Sequence, residues 1–416
     1  EASSAFGADQ RWQLFPRVSG SWVVDEQPGY ENGFVGRALS SLRLRAAYGQ
    51  TGGQPPSEYL NQVTYTNVNF GGRAGLRPNV ILANPDLQPE RQREIEAGFD
   101  AGILGDRVSL EFTAYDKRTT DLVLNVPLAP TSGFASQYRN IGEVTNRGVE
   151  LSVNTFNVQR PGFNWTTRIL YAANRNNVTR LNQRSDTLFF PGGGYPNAVI
   201  EGQPIGVFYG TVYPRDANGN VLLTGPGGVP RRFRTCVRPQ GCPLAGDSAF
   251  VRGIIGDPNP DFTASLQNTF TVRGVEIGVL FDGQFGNDVM NLSRRSSDFF
   301  GSSPNAGRET LGDTIRGTYV RNAERNNLFE EFVEDGSFVK LREIALGYRF
   351  EAPWVRAFGS QDVGIRVAAR NLYTWTDYSG LDPEVNLFSA NTVARGVDFA
   401  TTPIPRTLVV SLDFNF

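Results

Sequence analysis

Ten residues at the end of the chain, Thr407-Leu-Val-Val-Ser-Leu-Asp-Phe-Asn-Phe416, restrict the possible folds more than any other stretch. Side chains alternate across a strand with a period of two. An extended backbone here sets Leu408, Val410, Leu412, Phe414 and Phe416 on one side. Thr407, Ser411, Asp413 and Asn415 fall on the other, and Val409 breaks the pattern. One side suits hydrocarbon and the other suits water. A half-buried strand of a soluble sandwich and a strand in a membrane barrel both fit that description.

The same alternation recurs along most of the chain. Ile95, Ala97, Phe99, Ala101 and Ile103 oppose Glu94, Glu96, Gly98, Asp100 and Gly102. Beyond Gly105-Asp106, Val108, Leu110, Phe112 and Ala114 oppose Arg107, Ser109, Glu111 and Thr113, which predicts a tight hairpin. Further hairpins are expected at 147–175, turning near Pro161-Gly162, and at 260–286, turning at Arg273-Gly274. The spacing predicts eleven strands: 11–24, 40–50, 90–103, 106–119, 137–158, 163–175, 260–272, 275–286, 337–350, 361–373 and 405–416. Short turns join strands on one side. On the other side, 51–89, 176–259, 287–336 and 374–404 are long and rich in Gly, Pro, Asn and Ser. Long loops of this kind are uncommon in compact soluble domains. Short turns on one edge and long loops on the other are what bacterial outer-membrane barrels show. The expected fold class is therefore all-β: a transmembrane antiparallel β-barrel with short periplasmic turns and long extracellular loops.

Composition removes several alternatives. No run approaches the ~18 apolar residues of a membrane helix. The net charge of −2 gives no support to a nucleic-acid partner. Histidine is absent and cysteine occurs twice, which removes His-based triads and His- or Cys-rich metal clusters. Cys236 and Cys242, in Cys-Val-Arg-Pro-Gln-Gly-Cys, read as a local disulfide in an exposed loop and so as an oxidising compartment; two free thiols are the alternative. An odd strand number puts the chain ends on opposite sides of a membrane, whereas bacterial single-chain barrels have an even number. The chain begins with Glu1 rather than Met and is expected to be part of something longer.

Several runs carry a family resemblance. They are Asn84-Pro-Asp-Leu-Gln-Pro-Glu90, Leu124-Asn-Val-Pro-Leu-Ala-Pro-Thr-Ser-Gly-Phe134 and Asn140-Ile-Gly-Glu-Val-Thr-Asn-Arg-Gly-Val-Glu150. Gly202-Gln-Pro-Ile-Gly-Val-Phe-Tyr-Gly210 and Ile255-Gly-Asp-Pro-Asn-Pro-Asp-Phe262 come next, then Val333-Glu-Asp-Gly-Ser-Phe-Val-Lys-Leu-Arg342 and the run from Asn371 to Asn386. In order and spacing the chain resembles the TonB-dependent outer-membrane transporters of the SusC/RagA class. The resemblance implies a 22-stranded barrel around an N-terminal plug domain, with residues 1–416 supplying its C-terminal eleven strands. It also implies uptake of a large nutrient solute, an oligosaccharide or a peptide, in the outer membrane of a bacterium. The implied partners are a SusD-like surface lipoprotein, outer-membrane lipid, and the TonB complex acting through an N-terminal part not found in these residues. A siderophore or cobalamin receptor and a structural or adhesive surface barrel are the alternative readings.

The charges expected to face the barrel interior are Glu94, Glu96, Asp100, Arg107, Glu111, Arg168, Arg366 and Arg370. Each would touch solute or plug, or simply line a wet wall. Arg366 and Arg370 share parity on one strand, and an acidic plug residue is the neighbour expected for them. The loop aromatics Phe189, Phe190, Tyr195, Phe299, Phe300, Phe329, Trp375 and Tyr378 are expected to pack loops or anchor at the interface rather than stack on sugar. Asp216-Ala-Asn-Gly-Asn220 resembles the start of a calcium loop but lacks the downstream acid, so an Asn-Gly turn is expected. Glu330-Glu331 sit in a polar loop with nothing to mark them as catalytic. No enzyme activity, catalytic residue or cofactor is expected. Phe416 resembles the terminal aromatic signal read by the barrel-assembly machinery; an interfacial girdle residue is the plainer role.

Overall fold

The computed structural model describes residues 3–181, 187–189, 196–213, 215–220, 223–224, 229–230, 234–236, 248–250, 252–303, 329–350, 353, 355, 359–388 and 394–415. Eleven long strands form an antiparallel sheet whose order follows the chain. They are β1 (Arg17–Val23), β2 (Leu39–Gly53), β3 (Glu90–Ile103), β4 (Val108–Thr120), β5 (Glu143–Arg160), β6 (Phe163–Arg180), β7 (Phe262–Val272), β8 (Val275–Phe285), β9 (Phe338–Phe350), β10 (Asp362–Thr376) and β11 (Thr407–Asn415). Among the described residues no helix is long and apolar enough to cross a membrane.

The chain divides into two compact units. The first comprises Glu1–Gly193, Val199–Ile205 and Ala264–Gly274. Here the register stacks like upon like. Ala97 pairs with Ala114, Phe99 with Phe112 and Ala101 with Leu110. Val149, Leu151 and Val153 continue these rows on β5, and Ala173, Tyr171 and Ile169 on β6. The Phe99 and Phe112 rings lie 5.6 Å apart. The apolar run Ile95–Ile103 covers about 27 Å of strand at ~3.4 Å per residue, the scale of a lipid-facing band. The opposite face carries Glu94, Glu96, Asp100, Glu111, Thr113, Glu150 and Asn174. On that face Gly148 leaves room for the Tyr115 phenol, which lies where a Cβ would stand and donates to Asn174 Oδ1 at 3.2 Å.

The second unit comprises Gly194–Ala198, Gly206–Thr263 and Val275–Phe416. Its strands β8 to β11 repeat the two-faced pattern. Ile365 faces Leu412, Val367 faces Val410 and Ala369 faces Leu408. Leu408, Val410, Leu412 and Phe414 are each more than half exposed. A continuous apolar surface without protein cover is what a water-soluble chain avoids and what acyl chains supply a partner for. The core of this unit lies among its loops, where Phe208, Met290, Leu292, Phe332 and Val397 are buried together.

A bulge in β9 sets which residues share a face. Leu280 pairs with Glu343 but Phe281 pairs with Leu341, so Arg342 is the extra residue. Leu341 and Ile344 therefore both keep to the apolar side, although strict alternation would part them. Arg342 and Glu343 both serve the polar side.

Among the described residues three connections between the long strands are short: 104–107, 161–162 and 273–274. Arg273 and Gly274 both take positive φ, 49° and 88°, as a two-residue hairpin turn requires. Arg273 N donates to Gly162 O of the adjacent turn at 3.0 Å. The long connections are not bare. Tyr65–Phe70 and Arg73–Pro78 form a hairpin; Ile81–Leu82, Ser136–Asn140 and Val123–Pro127 form a three-stranded sheet; Asp288–Asn291 joins Val333–Asp335 and Val397–Asp398 in another.

Two expected strands differ from the structure. The stretch 137–158 is broken at Ile141-Gly142: Ser136–Asn140 joins a loop sheet, and β5 begins at Glu143. The side chain of Asn140 holds the break, donating to Gln88 O and Asp121 O and accepting from Gln88 N. The first strand starts at Arg17 rather than residue 11, because Pro16 has no N–H to continue the ladder.

Candidate functional site

The polar face of the first unit holds five of the eight charges singled out in the sequence. Asp100 accepts from Arg43 at 2.5 Å and lies 3.3 Å from Arg45, both on β2. Arg45 also donates to Thr113 Oγ1 at 2.8 Å. Glu94 and Glu96 are neighbours on the polar face of β3, and Glu94 stands directly opposite Lys117. They line, with Arg17, Ser19, Gln50 and Gln92, a depression of about 550 Å³ beside β1 to β3. Glu111 is exposed opposite Asp100. Arg168 is exposed on the row of Asn154. Arg107 lies outside β4 and donates to Phe156 O and Asn157 O, at 3.2 and 3.0 Å, beside the bulge in β5. It is committed to the turn edge.

In the second unit Arg366 and Arg370 converge on one acid. Glu343 accepts from Arg366 at 2.5 Å and from Arg370 at 2.7 Å. That acid comes from the neighbouring strand, in place of the plug residue expected from the sequence. Glu343 stands directly opposite Arg370, and Arg366, opposite Gly347, is further along the same face.

Beside this pair lies a network that strand alternation does not reveal. The Lys340 ammonium is 2.6 Å from Asp382 and 2.7 Å from Glu384. Arg342 bonds Asp282 at 2.8 Å and Glu384 at 2.7 Å. Burial alone would raise the Glu384 carboxyl, but bonds from Arg342 and Lys340 outweigh it and hold it below the usual carboxylate range. The network fastens the 377–406 connection to β8 and β9. A signal was present in the sequence: Lys340 is one of only two lysines and stands inside a family-like run.

The other family-like runs prove to be clasps of the same kind. Glu334 accepts from Ser379 and from Arg294. Asn84 Nδ2 donates to Tyr138 O at 2.8 Å, and Glu90 accepts from Val123 N at 2.8 Å. Leu87 and Phe208 are completely buried. Asn84, Glu90 and Glu334 thus each tie one of these runs to a segment distant in the chain.

Other candidates have structural partners. Tyr378 is buried and donates to Asp398 at 2.7 Å; burial first, then this bond, pushes its phenol upward. Trp375 lies with Phe281 and Tyr373 on the apolar face, ring centres 6.2 and 4.8 Å away. Phe329 packs against the loop core beneath the Arg295 guanidinium. Phe299 and Phe300 meet edge to face. Asp216 closes its own turn by accepting from Asn218 N and Asn220 N. Glu330 accepts from Arg215 and Tyr213 N, and Glu331 from the Tyr213 hydroxyl. Among the described residues no cluster of His, Cys, Asp or Glu could hold a metal ion. Phe190, Tyr195, Cys242 and Phe416, with the side chains of Phe189 and Cys236, lie outside the described residues.

A sheet with hydrocarbon-suited and water-suited faces, long loops on one edge and short turns on the other, defines the wall of a membrane-spanning β-barrel. Residues 1–235 match the family model described as TonB dependent receptor-like, beta-barrel, and the chain belongs to that family. It is 27% identical over its whole length to TonB-dependent receptor P3 of Formosa agariphila, covering 43% of that protein. It is 26% identical, again over its whole length, to TonB-dependent receptor SusC of Bacteroides thetaiotaomicron, covering 41% of it. The fold is similar to that of the RagAB peptide transporter, with a TM-score of 0.75 at 24% identity, over all of this chain and 45% of that one. The chain therefore spans less than half the length of the curated relatives it matches.

Proposed function

We propose that this chain forms the C-terminal half of the barrel wall in an outer-membrane receptor that imports a large nutrient, a peptide or an oligosaccharide, with energy from TonB. The observation that carries the proposal is the polar face, built from paired charges and hydroxyls, in a chain whose whole length matches TonB-dependent receptors. A polar lumen lets a hydrophilic solute pass without desolvation. Similarity to SusC and RagAB supports capture beneath a SusD-like lipoprotein, then passage along the lumen once a plug has moved. Glu94, Glu96, Asp100, Glu111, Arg168, Arg366 and Arg370 line that route. No residue performs covalent chemistry. Two further assignments belong to the same reading: a local Cys236–Cys242 disulfide, and Phe416 as the assembly signal.

The test is uptake by cells. Deleting the gene for the full-length protein abolishes entry of a fluorescent oligopeptide or oligosaccharide, and a TonB deletion does the same. Undiminished entry of both solute classes in the gene deletion overturns the proposal.

A further inference from the structure

The apolar face of the first unit ends abruptly towards the long loops, in a bank of arginines. Arg93 of β3 stands directly opposite Arg118 of β4. Arg147 of β5 stands directly opposite Arg175 of β6. Directly opposed residues in an antiparallel pair share a face, and like charges in that position repel. All four are exposed.

Two acids on the same face answer two of the four. Asp116 bonds Arg147 at 2.6 Å and Glu143 bonds Arg118 at 2.7 Å. Arg93 and Arg175 have no acidic partner among the described residues. Among the described residues the face thus keeps a net positive charge beside two repulsive pairs, which an anion from outside would relieve.

Position names the anion. Arg147 and Arg175 share their row with Ile95 and Asp116, and the row beyond it is small: Ala97, Ala114, Val149 and Ala173. Below it stand the bulky Phe99, Phe112, Leu151 and Tyr171. Arg147 and Arg175 therefore border a shallow apolar shelf, with Arg93 and Arg118 one row nearer the loops, at the head of the lipid-facing band on the long-loop edge, which is the extracellular side of a barrel. The corresponding edge of the second unit carries Phe281, Tyr373 and Trp375 instead.

We propose that Arg93, Arg118, Arg147 and Arg175 form an annular site for a phosphorylated lipid of the outer leaflet. Its phosphate sits among the guanidiniums and an acyl chain lies on the alanine shelf. Guanidinium groups suit phosphate because their donors match its oxygens in pairs. The site faces lipid, not lumen, and stands apart from any solute.

The test uses the full-length protein in phosphatidylcholine nanodiscs doped with lipid A or with lipid A stripped of its phosphates. Native mass spectrometry counts the lipid retained. The wild type enriches only the phosphorylated lipid. Arg93→Gln/Arg175→Gln, which orphans no carboxylate, retains less of it by about fivefold for each arginine removed. Arg93→Lys/Arg175→Lys recovers part of the retention. An unshifted heat-modified band on gels shows that the variants keep their fold, and solute uptake in cells stays as in wild type. Equal retention of the two lipids by wild type overturns the proposal, and so does unchanged retention by the Gln variant. Displacement of the lipid by millimolar inorganic phosphate also overturns it, since that marks a site for the free anion.

Discussion

Lys340 Nζ lies 2.6 Å from Asp382 Oδ1, and both side chains are almost entirely withdrawn from solvent. The two residues are far apart in sequence, one on β9 and the other in the connection before β11. Buried ion pairs add little net stability over apolar replacements, but removing one partner leaves an uncompensated charge. The bond therefore matters most for specifying where the 377–406 connection sits.

Breaking that bond has a measurable cost. Lys340→Met is expected to destabilise the barrel by about 3–5 kcal/mol, because the buried Asp382 loses its cation while Glu384 keeps only Arg342. The heat-modified gel band of the full-length protein should convert at a clearly lower temperature. An unchanged conversion temperature would show that the connection is held by other means.

Acid should loosen the same clasp. The Glu384 carboxyl is held below its ordinary value of 4.5. A depressed carboxylate stabilises in full above its unfolded value and loses that contribution as pH falls through the folded one. The 377–406 connection should resist an acid-tolerant protease at pH 5 and above, and become cleavable only below about pH 4. In Glu384→Gln the pH step should shrink. Cleavage that begins near neutrality contradicts the assignment.

The two faces of β11 predict opposite tolerance. Leu412→Arg sets a charge in the apolar row and should cost about 2–4 kcal/mol near the bilayer midplane. Ser411→Glu, one residue away on the polar face and directly opposite Arg366, should cost well under about 1 kcal/mol by the usual behaviour of wet surface positions. Reversible unfolding in phospholipid vesicles measures both. Equal costs would mean that neither face meets lipid.

Deleting Phe416 should lower the amount of protein assembled in the outer membrane without changing its synthesis. Surface labelling against whole-cell immunoblots separates these quantities, and normal surface levels refute the signal role. Cys236 and Cys242 should resist alkylation until a reductant is added; free reaction without reductant removes the disulfide.

Much of the wall was legible because the signal is local. The run from Glu94 to Ile103 declares its faces by zigzag alone, and its hairpin to β4 arises from Gly105-Asp106. The clasps were not legible, since Lys340 and Asp382 are joined only through the folded loop. The partner of Arg366 and Arg370 was hidden by register: the pairing that sets Glu343 opposite Arg370 spans a connection whose length does not fix it. Asn140 reads as a polar residue within a strand, yet it holds Gln88 and Asp121 together and so ends one element before another begins.

The irregularity at Arg342 makes β9 a strand with a phase. Loss of that single residue would leave the composition nearly unchanged and restore perfect zigzag. Every side chain on one half would then point the wrong way: either Lys340 would enter the acyl region, or Leu346 and Tyr348 would turn inward. Length, at this point, carries as much information as residue identity.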